Sequence, residues 1–123
     1  MINLTFTAQR ILLRAAQLIG YEHRWIKGRL IVQTTGGGLY YCALGAIALA
    51  SSEVTGQLEC PESLEVSKAV ARQMPAGHSA IYTYNDHTLT QHKDVKAMFC
   101  KAVAEEVDSP ALAETPKEDI TSA

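Results

Sequence analysis

Cys42 is the first residue whose type and setting suggest chemistry. It follows the run Gly36-Gly37-Gly38 and heads an apolar, Ala-rich stretch. Free N–H groups and the dipole at a helix start lower a thiol's pKa and favour the thiolate. Cysteine hydrolases place their nucleophile in this way, with a histidine as base. His23, His78, His87 and His92 are the available bases, His87 first and His78 next, and Asn85 or Asp86 can orient one of them. The competing expectation is that Cys42 is a small buried hydrophobe beside Ala43 and Leu44. No catalytic residue is assigned; Cys42 and His87 are candidates.

The segment Tyr84-Asn85-Asp86-His87 offers a second kind of chemistry. Asn and Asp in a tight turn satisfy local backbone donors, and a carboxylate there can also accept from a ligand hydroxyl or amine. Tyr82 and Tyr84 add stacking surface. Trp25, with Tyr21, Tyr40 and Tyr41 near Arg24, Lys27 and Arg29, can stack a base or grip a partner. Trp25, Tyr84, Asn85, Asp86 and His87 are therefore the candidate ligand- or partner-binding residues. The glycine run lacks both phosphate-loop patterns and reads first as a plain loop. No metal site is expected, because His87 and His92 lack a carboxylate to complete a triad, and no cofactor is implied.

These residues need elements to position them. Ile11, Leu12, Ala15, Leu18 and Ile19 recur at helical spacing, so an amphipathic helix is predicted from about Thr7 to Ile19, stopped by Gly20. Arg24-Trp25-Ile26 and Arg29 to Gln33 flank Lys27-Gly28 and predict a short hairpin. Tyr40 to about Ser52 is apolar nearly all round and predicts a buried central helix, with Gly45 marking a close approach of another element. Pro61 opens a helix to about Met74, with Leu64, Val70, Ala71 and Met74 on its inner face. Ser79 to Tyr84 reads as a short strand and Asn85-Asp86-His87 as a turn. Thr90 is the expected N-cap of a closing helix, with Asp94 in its first turn and Val95, Met98, Phe99, Ala102, Val103 and Val107 on its apolar face. The expected architecture is α+β and mostly helical, with about four helices and a short hairpin around one core. Residues 1–108 form the domain, and Ser109 to Ala123 a mobile tail.

With 123 residues, 47% hydrophobic and 20% charged, the composition is that of an ordinary globular domain. A formal net charge of −2 argues against broad, charge-driven nucleic-acid binding. No apolar run reaches the roughly 18–20 residues that span a bilayer. Three widely spaced cysteines, Cys42, Cys60 and Cys100, form a poor disulfide framework. Free thiols and the absence of a basic N-terminal start predict a cytoplasmic protein.

Cys42-Ala43-Leu44-Gly45-Ala46, followed later by aromatic-Asn85-Asp86 and by Thr90 and Val95, resembles a small uncharacterised protein family found in bacteriophage and actinobacterial genomes. Its members share a Cys-Ala-Leu-Gly-Ala segment and a Trp-Asn-Asp segment; Tyr84 stands here where the family has Trp. The resemblance covers about Ile11 to Val107. It implies a shared site, or a shared structural lock in which Asp86 or Asn85 caps the helix that begins near Cys42. It also implies a non-enzymatic accessory protein that binds a host protein or sequesters a small nucleotide-like ligand, with a counter-defence role. The alternatives are a Cys42-dependent hydrolase or transferase and a homo-oligomeric assembly protein.

Overall fold

The structure, a computed structural model, describes residues 4–108 and 114–116. Helix α1 (Phe6–Ile19) starts at Thr5, whose side chain accepts from the Ala8 amide, and buries the predicted face of Ile11, Leu12, Ala15, Leu18 and Ile19. Two short antiparallel strands follow, β1 (Ile31–Gln33) and β2 (Leu39–Tyr41), with Ile31 opposite Tyr41 and Gln33 opposite Leu39. Four further α-helices follow among the described residues: α2 (Ala43–Thr55), α3 (Pro61–Ala71), α4 (Ile81–Asp86) and α5 (His92–Glu106). The fold is thus a mostly helical α+β arrangement around one core, with α1 packed against α2, α3 and α5. Helix α5 buries Val95, Met98, Phe99, Ala102 and Val103 as expected. A fully buried side chain of the size of Phe99 contributes about 1.5–3 kcal/mol.

Several local expectations are corrected. The hairpin pairs 31–33 with 39–41, and its loop is the glycine run rather than Lys27-Gly28. Thr34 makes this possible: its amide donates to Gly38 O at 2.9 Å, while Gly37 N donates to Thr34 O at 2.9 Å and Gly38 N to Thr34 Oγ1 at 3.1 Å. Gly37 adopts φ +85°, which only glycine enters without strain. The glycine run therefore feeds a strand, not a helix, and Tyr40 and Tyr41 belong to that strand. Trp25 instead forms a single parallel bridge with Tyr41.

Helix α2 starts at Ala43 and is buried along one side only; Leu44, Ala48 and Leu49 are half-exposed. Helix α3 buries Ser63, Val66, Ala69 and Val70, whereas Leu64 is 56% exposed. The predicted strand at 79–84 is helical, because Ile81, Tyr84 and Asn85 reach the core at helical spacing. The N-cap of α5 is Gln91 rather than Thr90: Asp94 reaches back to accept from the Gln91 amide at 2.8 Å. Gly20 does end α1, but in right-handed backbone; a Cβ there would lie 1.7 Å from Thr115 Oγ1, so the crowding requires glycine. The expected tail lies outside the described residues except for 114–116.

Candidate functional site

Two regions could serve a site, and they differ in how their polar atoms are used. The first is built on Asn85, which is fully buried. Its Oδ1 accepts from Trp25 Nε1 at 2.6 Å and from Ala43 N at 3.0 Å. Its Nδ2 donates to Ile26 O at 3.1 Å and to Asp86 Oδ1 at 2.9 Å. Both groups facing Oδ1 are pure donors, so the amide has one possible orientation. The side chain thereby uses two donors and two acceptor sites, its full capacity. Asp86 Oδ1 accepts in addition from Gly28 N at 2.9 Å, and Lys27 Nζ donates to His87 O at 2.6 Å. The segment Trp25–Gly28 is thus stitched along the end of α4, and Asn85 caps the first amide of α2.

Cys42 belongs to the same construction. Its backbone N–H donates to Leu30 O at 3.1 Å, and its Sγ accepts from Gly45 N at 3.4 Å as the N-cap of α2. The amides that would otherwise stabilise an external anion are used within the protein. Burial raises the Cys42 thiol above its ordinary value, outweighing the hydrogen bonds that lower it, and Asp86 adds to the rise. Gly45 is required by close approach: a Cβ would stand 2.0 Å from Leu30 O and 2.9 Å from Tyr41 Cβ.

The other candidates fall around this group. Trp25 packs its ring 5.9 Å from that of His92 and carries the Lys27 ammonium 5.5 Å above it. Tyr84 is buried against His78, ring centroids 4.7 Å apart, and burial raises its phenol pKa, with Asp94 adding to the effect. His87 is exposed, its Nδ1 accepts from Leu89 N at 3.1 Å, and its ring meets His78 at 5.4 Å. The structure therefore brings Trp25, Asn85 and Asp86 together with the Cys42 end of α2, and gathers Tyr84 and His87 around His78.

The second region is a cavity of about 440 Å³ between α1, α2 and the hairpin, lined by Arg14, Tyr21, Arg24, Gly37, Gly38 and Glu53 among others. Its volume falls in the roughly 300–1,000 Å³ range of small-molecule sites. Arg24 Nη1 donates to Leu39 O at 3.3 Å, and its guanidinium lies 5.7 Å from the Tyr40 ring centroid. A Cβ on Gly38 would meet Arg24 Nη1 at 2.9 Å, so this glycine leaves room for the guanidinium. Arg14 Nε pairs with Glu53 Oε2 at 3.0 Å. Arg14 and Glu53 carried no signal in the sequence: they are 39 positions apart, on two helices whose crossing alone joins them.

A further cavity, about 530 Å³, is an apolar groove lined by Leu30, Leu44, Ile47, Leu58 and Leu64, with Cys60 at the N-cap of α3. The Ser51 hydroxyl, 3.3 Å from Cys60 Sγ, is the main cause that holds this thiol below its ordinary value. It is larger than the basic cavity, but it offers no cationic group, so the basic cavity has the stronger chemistry for a small polar ligand. Among the described residues no group of three or more His, Cys, Asp or Glu is placed to hold a metal ion.

Fold and sites together define a small, mostly helical α+β protein with a polar lock at the start of its second helix and a basic cavity beside its hairpin. The chain belongs to DUF6197, a family of unknown function, whose model matches residues 4–105. No curated protein and no solved structure matches it. No helix among the described residues is long and apolar enough to cross a membrane.

Proposed function

We propose that the protein is a non-enzymatic binding protein for a small anionic, nucleotide-like ligand, taken up in the cavity between α1, α2 and the hairpin. The observation that carries this reading is the convergence of two guanidinium groups, Arg14 and Arg24, on one cavity of ligand size. Guanidinium forks bind phosphate oxygens through paired, charge-assisted hydrogen bonds. Tyr21 offers a ring for a base, and Leu18, Leu39 and Leu49 offer apolar wall. Trp25, Asn85 and Asp86 hold the hairpin side of this cavity to α2 rather than touching the ligand. Binding is favoured over catalysis at Cys42, whose sulfur is buried, held as the thiol and engaged as a helix cap.

The reading is tested by calorimetric titration of the full chain with ADP. Saturable binding is expected, weakened about tenfold by Arg24→Ala, the loss of one charge-assisted contact. Absence of ADP binding both in the wild type and in a variant with the Glu53 carboxylate neutralised, or binding unchanged in Arg24→Ala, contradicts it.

A second reading, binding of a protein partner, is favoured by one observation. Leu30, Leu58 and Leu64 are 52%, 53% and 56% exposed and rim the apolar groove. A host protein or a second copy of the chain are the proposed occupants. A cytoplasmic, phage-type role directed at host defence belongs to the same proposal and rests on the resemblance to a family found in bacteriophage and actinobacterial genomes. Sedimentation of the purified chain separates the two occupants, since self-association through these leucines rises with concentration.

A further inference from the structure

The basic cavity contains its own anion. Arg14 Nε donates to Glu53 Oε2 at 3.0 Å, and Arg14 Nη1 donates to Gln17 Oε1 at 3.1 Å. Glu53 and both guanidinium-bearing residues line the same cavity. Any negative ligand group that reaches Arg14 therefore meets a carboxylate already on it. The two side chains are 33% and 50% exposed, so the pair is of the open, weakly held kind that exchanges partners readily. Glu53 sits near the end of α2 and is exposed, so its carboxylate can turn to water at little desolvation cost when displaced.

Resting on the reading that this cavity binds a nucleotide-like anion, we propose that Glu53 competes with the ligand for Arg14 and thereby sets the site's affinity. Glu53 sets affinity by repulsion and by occupancy of Arg14, not by contact with the ligand. Removing its charge frees Arg14 of its competing anion, leaving only the neutral Gln17 contact on Nη1, and tightens binding. The gain must run through Arg14: without that guanidinium, neutralising Glu53 has nothing to release.

The test is calorimetric titration with ADP of the wild type, Glu53→Gln, Arg14→Ala, the double variant and Glu59→Gln. The last removes an equal charge at an exposed position beside the apolar groove. The expected result is about fivefold tighter binding in Glu53→Gln, no change beyond about twofold when the same substitution is made in Arg14→Ala, and no change in Glu59→Gln. Binding detected in Glu53→Gln but not in the wild type is the same result at its extreme. If the wild type binds ADP and Glu53→Gln binds equally or more weakly, the inference is overturned while the binding reading stands. Equal tightening in Glu59→Gln, or tightening that survives in the double variant, also overturns it by exposing a general charge effect. If neither the wild type nor Glu53→Gln binds ADP, both the reading and the inference fall.

Discussion

The Asn85 lock and the arginine cavity both border α2, and they treat polar groups in opposite ways. In the lock, a fully buried amide makes four hydrogen bonds, and the first amides of α2 have their partners inside the protein. In the cavity, Arg14 holds a half-exposed carboxylate that water or another anion can replace. Residues of unusual type, Trp25 and Asn85, do the holding, while side chains common on any surface line the cavity. On the proposed reading, a conspicuous polar motif and the ligand site are thus different things in this molecule.

The sharpest way to break that contrast is to remove the lock. Asn85→Ala strands the Trp25 indole N–H and the Ile26 carbonyl at partly buried positions and the Ala43 N–H at a fully buried one. It is expected to cost about 3 kcal/mol, on the order of 15 °C in Tm by calorimetry. A drop of only a degree or two would mean that the amide is not structural. Asp86→Ala is expected to cost less, about 1–2 kcal/mol: water can replace the carboxylate at the exposed Gly28 N, while one N–H of the buried Asn85 loses its acceptor. Arg24→Ala gives the reverse profile, a stability change under about 1 kcal/mol beside its loss of ADP binding. If it unfolds the protein instead, the cavity is part of the scaffold and the contrast dissolves.

Cys42 gives the smallest effect and tests which side of the contrast it belongs to. Its thiol pKa is raised by burial, so the native state keeps a proton that the unfolded chain gives up. The stability this contributes is complete below the unfolded value and is lost as pH rises through the folded one. Cys42→Ser keeps an acceptor for Gly45 N and does not titrate. As pH is raised from about 8, near the free thiol value, to about 10, the Tm of the wild type is expected to fall relative to that of Cys42→Ser. Parallel curves would place the sulfur among accessible groups.

The long helices were legible because their burial is periodic. In α1 and α5 the apolar positions repeat at helical spacing and the core accepts that face. The hairpin register was not, because Arg24-Trp25-Ile26 has the same strand-like composition as β2, and Thr34's bonds to the glycine loop decide the pairing. The six-residue α4 was misread because Tyr82 and Thr83 favour strand by type, while the positions of Ile81, Tyr84 and Asn85 suit a helical turn onto the core. A possible cap by Asn85 or Asp86 on the Cys42 helix was implied by family resemblance; the geometry gives that cap to Asn85. The arginine cavity was illegible: Arg14 and Glu53 meet only because α1 packs on α2, and no local spacing encodes that crossing.

The most direct test is one ¹⁵N NMR titration of the full chain with ADP, following both regions at once. The expected result is movement of the Gly37, Gly38 and Leu39 amides and of the Arg14 and Arg24 Nε signals, with the Trp25 indole N–H and the Asn85 side-chain amide stationary. Movement of the Trp25 and Asn85 signals while the glycine and arginine signals stay fixed would put the ligand on the lock and contradict the assignment.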